Sequence, residues 1–106
     1  SMSQAYAQSS SVQDVLNYAL TLEYLEDDFY QKGLATANLV PASDRAIISQ
    51  ISKHEAAHVA LLRGALGNAA IAKPTFKYTA DTFTNYQTFL QYAQTFEDVG
   101  VRAYKG

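Results

Sequence analysis

Apolar side chains recur every three to four positions in three long stretches of this chain, and each stretch is bracketed by residues that start or stop a helix. In the first, Leu16, Ala19, Glu23, Glu26 and Tyr30 share one stripe, flanked by Val15, Leu22 and Phe29. Ser11, with Asp14 three residues on, is a capping-box-like start and Gly33 a left-handed stop, which predicts a helix over 12–32. Ser43 as N-cap, Asp44 in the first turn and Gly67 as stop predict a second helix over 44–66, with Ile48, Ile51, Glu55, His58, Leu62 and Ala65 on one seam. A third, over 82–104, opens at Asp81 or Thr82 and carries Tyr86, Phe89, Leu90, Ala93, Phe96, Glu97, Gly100 and Tyr104 on or beside its buried stripe.

The connections set the topology. The loop through Pro41 is short, so the first two helices are expected to pack as antiparallel neighbours. Residues 67–81 lose helical period; Pro74 bars helix, and 73–79 alternates as an extended segment does. Such a segment reaches roughly 45 Å, more than the ~30 Å of a 20-residue helix. It can cross the whole length of a bundle, pinned by Phe76 and Tyr78. The fold class is therefore all-α, with a long crossover between the second and third helices.

The stripes are apolar except where they carry acid. Glu23 and Glu26, Glu55 with His58, and Glu97 all fall mid-seam, whereas Asp27 and Asp28 are expected to face solvent. Removing an ionised carboxylate from water costs several kcal/mol unless it is compensated. Each such Glu is then protonated, paired with a base, or a metal ligand. For Glu55 and His58 alone, the plain alternative is an i,i+3 surface pair; for Glu26 it is membership of a charged face with Asp27 and Asp28.

The first and third helices also repeat one another. Ala19, Thr21, Leu22, Glu23 and Tyr30 match Ala93, Thr95, Phe96, Glu97 and Tyr104 at a constant offset of 74 residues. The counterpart of Glu26 is Gly100, which can leave a hole for the Glu26 side chain. A full second half would need a fourth helix with another Glu-x-x-His, and the chain ends before that position. It reads as a truncated domain, or as one that borrows a helix.

Length and composition narrow the chemistry. One domain is all that 106 residues allow: residues 1–10 read as a tag remnant and loose leader, and 11–106 as the domain. A net charge of −2 supplies no basic footprint for nucleic acid, and no apolar run is long enough to span a membrane. Without cysteine, imidazole and carboxylate are the strong metal ligands available. Ala5, Tyr6, Ala7 and Gln8 read as the trimmed end of a signal peptide, which points to a secreted or extracytoplasmic protein.

With these residues in place, the chain resembles the ferritin-like di-metal carboxylate superfamily, whose four-helix bundle carries Glu on two helices and Glu-x-x-His on the other two. The phrases LEYLEDDFY, HEAAHVALLRGALG and FEDVGVRAY are most similar to ferritin-like proteins grouped with desiccation-related and stress-associated sequences. The resemblance implies Glu23 and Glu97 as terminal carboxylate ligands, Glu55 as a bridging ligand and His58 as an imidazole ligand. It implies iron, with manganese or zinc as alternatives, and oxidase- or ferroxidase-type chemistry when the full site is assembled. Tyr30 and Tyr104 are candidate hydrogen-bond donors to the ligand carboxylates, and Glu26 and His54 are possible ligands or neighbours of the site. Because Glu97 has no imidazole from its own half, one metal site is expected and a second is not; weak binding and no ferroxidase-like activity follow. The exposed groove left for a fourth helix implies a homo-oligomer or helix swap.

Two other readings compete. The bundle can serve a structural or stress-protective role with no metal chemistry. His54, Glu55 and His58 also fit H-E-x-x-H, the zinc-hydrolase helix. That reading leaves Glu23 and the repeat unexplained, and nothing in the chain makes a convincing sheet.

Overall fold

The structure, a computed structural model, describes residues 9–105, with the side chains of 104 and 105 excluded. Most of the expected leader, at 1–8, and the side chain of Tyr104 therefore lie outside the described residues. Three α-helices, α1 (Ser10–Ala35), α2 (Arg45–Leu66) and α3 (Tyr86–Lys105), account for the fold, with a 3-10 turn at Gly67–Ala69. Among the described residues there is no strand. Nor, among the described residues, is any helix long and apolar enough to cross a membrane.

Local chemistry moves each boundary from its expected place. The N-cap of α1 is Ser9, whose hydroxyl accepts from the Val12 amide at 3.3 Å, so Ser10 and Ser11 lie inside the helix. At the other end α1 runs through Gly33 to Ala35, and Lys32 sits in the last turn, where a cation opposes the helix dipole. Gly33 is not a stop but a packing site: a Cβ there would lie 2.3 Å from Cε2 of Phe89. α2 begins after Asp44 rather than Ser43, and the Asp44 carboxylate makes no capping bond because it accepts from the Tyr86 hydroxyl at 2.8 Å. Gly67 ends α2 with φ +57, a conformation that favours glycine. α3 starts four residues later than expected. Thr82 and Thr84 hydroxyls bond back to the Thr79 and Asp81 carbonyls in consecutive turns, and Asn85 caps the helix by accepting from the Thr88 amide at 2.8 Å.

α1 is the central helix. It packs along its length on α2 and more lightly on α3, while α2 and α3 leave a groove between them. Leu90 and Ala93 line that groove on one side, Ile48 and Ile51 on the other. Two clusters make the core. The larger is aromatic: Phe29 stacks on Phe89 at 4.6 Å and meets Tyr30 and Phe96 edge-on at 5.2 and 4.9 Å. Burying each such ring contributes about 1.5–3 kcal/mol. The smaller joins Leu20, Tyr24 and Leu66, with Phe76 of the crossover packed against it. Val15 and Ala65 are exposed instead of seam-forming, because Leu20, Tyr24 and Leu66 carry the packing at that end.

The crossover is strapped to α1. Asn17 donates to the Ala69 carbonyl and accepts from the Ile71 amide, both at 2.9 Å, and the Tyr24 hydroxyl donates to the Ile71 carbonyl at 3.0 Å. Arg63 of α2 donates to that same hydroxyl. Further along, Lys73 and Tyr78 reach Asp28 at 2.7 and 2.8 Å, with Lys32 completing the cluster at 3.0 Å. Asp28 is therefore buried, contrary to the expectation that it faces solvent; the crossover covers it and supplies its partners. Burial works against its charge, but the donors Lys73, Lys32 and Tyr78 outweigh that and hold its carboxyl below the usual range. Phe76 and Tyr78 do pin the segment, as their alternation suggests.

Candidate metal centre

On the side of α1 that faces away from the strap, the mid-seam acids converge. Glu23, Glu26 and Glu55 are 4, 6 and 6 % exposed. A helix brings residues three apart onto one face, which places Glu23 beside Glu26 on α1 and Glu55 beside His58 on α2. Nδ1 of His58 lies 3.4 Å from Glu23 Oε2 and 3.8 Å from Glu55 Oε1. The imidazole itself is 53 % exposed, so the seam expectation holds for its contacts but not for full burial.

Two groups of ligand atoms result. Glu23, Glu55 and His58 form one; Glu26, Glu55 and Glu97 form the other; within each, one ligand atom per residue lies within 4.8 Å of the rest. Ligands on opposite sides of a small divalent ion lie about 4.2 Å apart, given metal–oxygen and metal–nitrogen bonds of about 2.1 Å. Either group can close on an ion with small side-chain movements. Glu97 is exposed because the α2/α3 groove is open beside it. It is held from the core side by the Tyr30 hydroxyl, which donates to Glu97 Oε1 at 3.3 Å. Burial, with Glu97 next to it, raises the Tyr30 hydroxyl well above its ordinary pKa and keeps it a donor.

The electrostatics require a partner for the acids. Burial pushes Glu26 up to about 7, with Glu97 and Glu23 adding to the rise, and pushes Glu55 up to about 10, with Glu23 and Glu26 adding. Glu55 Oε2 is a buried acceptor with no hydrogen-bond donor. The Glu23 and Glu26 carboxyls press on it, acceptors like itself, and the His58 imidazole lies 3.8 Å away from its other oxygen, so it needs a proton or a cation. A donor set of carboxylates and one imidazole suits a divalent ion of the iron, manganese or zinc class.

Of the other sequence candidates, His54 is exposed, meets Gln50 across 3.1 Å and belongs to neither group. The zinc-hydrolase pairing, which needs His54 and His58 on one ion, is not assembled among the described residues. Gly100 does lie over Glu26, but a Cβ there would be 3.8 Å from Glu26 Oε1, an ordinary contact. The hole proposed for Glu26 is real in position and unnecessary in size. Asn17, Asp28 and Lys73, which fix α1 against the crossover, escape sequence reasoning because their partners lie more than 40 residues away.

The sequence profile of the ferritin-like domain family matches residues 11–106. Comparison with curated proteins and with solved structures returns no match.

Proposed function

Because the chain belongs to the ferritin-like domain family, we propose that it binds a divalent metal, iron foremost, through Glu23, Glu55, His58 and Glu97, in a redox or iron-handling role. The observation that carries this reading is Glu55, whose Oε2 is a buried acceptor without a donor and whose carboxylate groups with Glu23 and His58 so that one ligand atom of each lies within 4.8 Å of the others. Iron held there supplies one-electron redox chemistry. The residues supply the rest. Glu23 and Glu55 provide the charge, and His58, half-exposed, provides an imidazole through which an ion can exchange with solvent. Tyr30 fixes the rotamer of Glu97. Manganese and zinc fit the same donors.

Anaerobic titration with iron(II), followed by calorimetry and metal analysis, tests the reading. Wild type is expected to bind iron and His58→Ala to bind it at least tenfold more weakly, as loss of a ligand requires. Equal affinity in the two proteins would remove this assignment. A second reading, a stress-related bundle without metal chemistry, draws on the raised pKa values of Glu26 and Glu55, since protons can also neutralise the cluster. It predicts no binding by any of the three metals. The proposal extends to a homo-oligomer formed by a second copy on α2, where Ile47 and Leu61 are exposed apolar side chains. A strictly monomeric mass by light scattering at high concentration would count against that part.

A further inference from the structure

Leu22, Leu25 and Glu26 share one face of α1, and Thr95, Phe96 and Val99 share a face of α3, because residues three and four apart in a helix lie one above another. Where the two faces meet they enclose a cavity of about 190 Å³. Its walls are apolar except for the Glu26 carboxyl and the Thr95 hydroxyl. Phe96 is fixed edge-on against Phe29 at 4.9 Å, so that wall is preformed, and Val99, 38 % exposed, marks the solvent edge. We propose that this cavity binds a small primary amine, its apolar body among Leu22, Leu25, Phe96 and Val99 and its ammonium on the carboxyl of Glu26. Such a ligand is distinct from the divalent ion of the proposed function, and its binding does not depend on that ion.

Size, wall chemistry and charge each select it. Cavities of about 150 Å³ lined by leucine, isoleucine and phenylalanine hold benzene, so this one admits a single ring or a short branched chain. Both polar groups of the wall are suited to accept. The Thr95 hydroxyl commits its proton to the Gln91 carbonyl at 3.0 Å, which leaves its oxygen as an acceptor. Glu26 is 6 % exposed, and its carboxyl lies beside those of Glu23, Glu55 and Glu97. An ammonium matches such a wall, because it has three N–H donors and no acceptor. It also brings the positive charge that carboxyls crowded together out of water lack. An alcohol or phenol supplies one donor and no charge. A carboxylic acid would add negative charge to a wall that is already acidic.

Titration of the whole chain with benzylamine, followed by calorimetry and by the methyl signals of Leu22, Leu25 and Val99 in NMR spectra, tests the proposal. Wild type is expected to bind it saturably, with shifts at those methyls. Toluene carries the body without the head, benzyl alcohol a neutral head, and methylammonium the head alone. Each is expected to bind more weakly by on the order of tenfold. Glu26→Gln keeps the shape of the side chain and removes its charge, and is expected to weaken benzylamine by on the order of tenfold. Thr95→Val changes an exposed position, should weaken it about threefold, and keeps the test decisive if Glu26→Gln does not fold. Unchanged affinity in the folded variants would overturn the proposal. So would benzyl alcohol or methylammonium binding as tightly as benzylamine, binding that leaves the three sets of methyls unmoved, or no saturable binding by wild type.

Discussion

Replacing Gly33 by alanine sets two well-understood effects against each other. Inside a helix, Gly→Ala is stabilising by about 0.8–1 kcal/mol. At Gly33, however, the new methyl would sit 2.3 Å from Phe89 Cε2 and 2.6 Å from Cζ, where carbon atoms ordinarily approach to about 3.5–4.0 Å. The ring must retreat by more than 1 Å. It cannot do so cheaply, because Phe89 is fully buried and stacked on Phe29. Overpacking of this kind costs about 1–3 kcal/mol and occasionally more, and a locked aromatic places it at the upper end. The expected net effect is a loss of about 2 kcal/mol, or roughly 10 °C in Tm for a domain of this size. Thermal and urea melts followed by circular dichroism measure it. Gly64 and Gly100 are the controls: nothing lies within 4 Å of a Cβ at Gly64, and only an ordinary 3.8 Å contact awaits one at Gly100. Both alanine variants should gain up to about 1 kcal/mol, from helix propensity alone. If Gly33→Ala melts with them, at or above wild type, then α1 and α3 do not approach as closely as described. Partial rescue by Phe89→Leu in the Gly33→Ala background would locate the strain in that one contact.

Three further outcomes are expected. Glu26 and Glu55 have folded pKa values raised above the ordinary 4.5, so their contribution to stability is fully present below about pH 4.5 and is lost as pH rises through 7 towards 10. Metal displaces those protons, so the urea midpoint should fall with pH between 5 and 9 without metal and rise with manganese(II); parallel trends would contradict the assignment. Glu55→Gln keeps the shape and the neutrality of the protonated acid, and should leave the metal-free Tm at pH 7 close to that of wild type while abolishing metal binding through Glu55; a much lower Tm would mean that its ionised form is stabilised by something else. Asp28→Ala should cost about 2–3 kcal/mol at neutral pH, as expected for lost hydrogen bonds to charged donors. That cost should shrink as acid protonates the depressed Asp28 carboxyl of the wild type, which urea melts at pH 7 and pH 3 compare.

Helical period placed three helices and the crossover within a few residues of their positions, because amphipathic stripes are local properties. Glu23, Glu55 and His58 were legible for the same reason: acids in a greasy stripe announce themselves. Boundaries were less so. Gly33 has the look of a terminator, and only the Phe89 ring, 56 positions away, explains why the helix continues through it. Asp44 loses its capping bond to Tyr86, another contact between distant residues. Glu26 was ambiguous because a run of Glu26, Asp27 and Asp28 has no internal signal for which members are buried. The answer depends on α2, α3 and the crossover, which enclose Glu26 on one side and Asp28 on the other and leave Asp27 to bond Gln31.

α1 presents acids to α2 and α3 on one side, aromatic rings to α3 along another, and anchoring side chains to the crossover on a third. Nearly every turn between Ala19 and Gly33 is thus committed to more than one task. Such a helix is a shared keystone: loosening it for any purpose loosens the ion cluster, the ring stack and the strap together. Heating should therefore give a single transition with calorimetric and van't Hoff enthalpies in agreement, although the three helices meet one another so unequally.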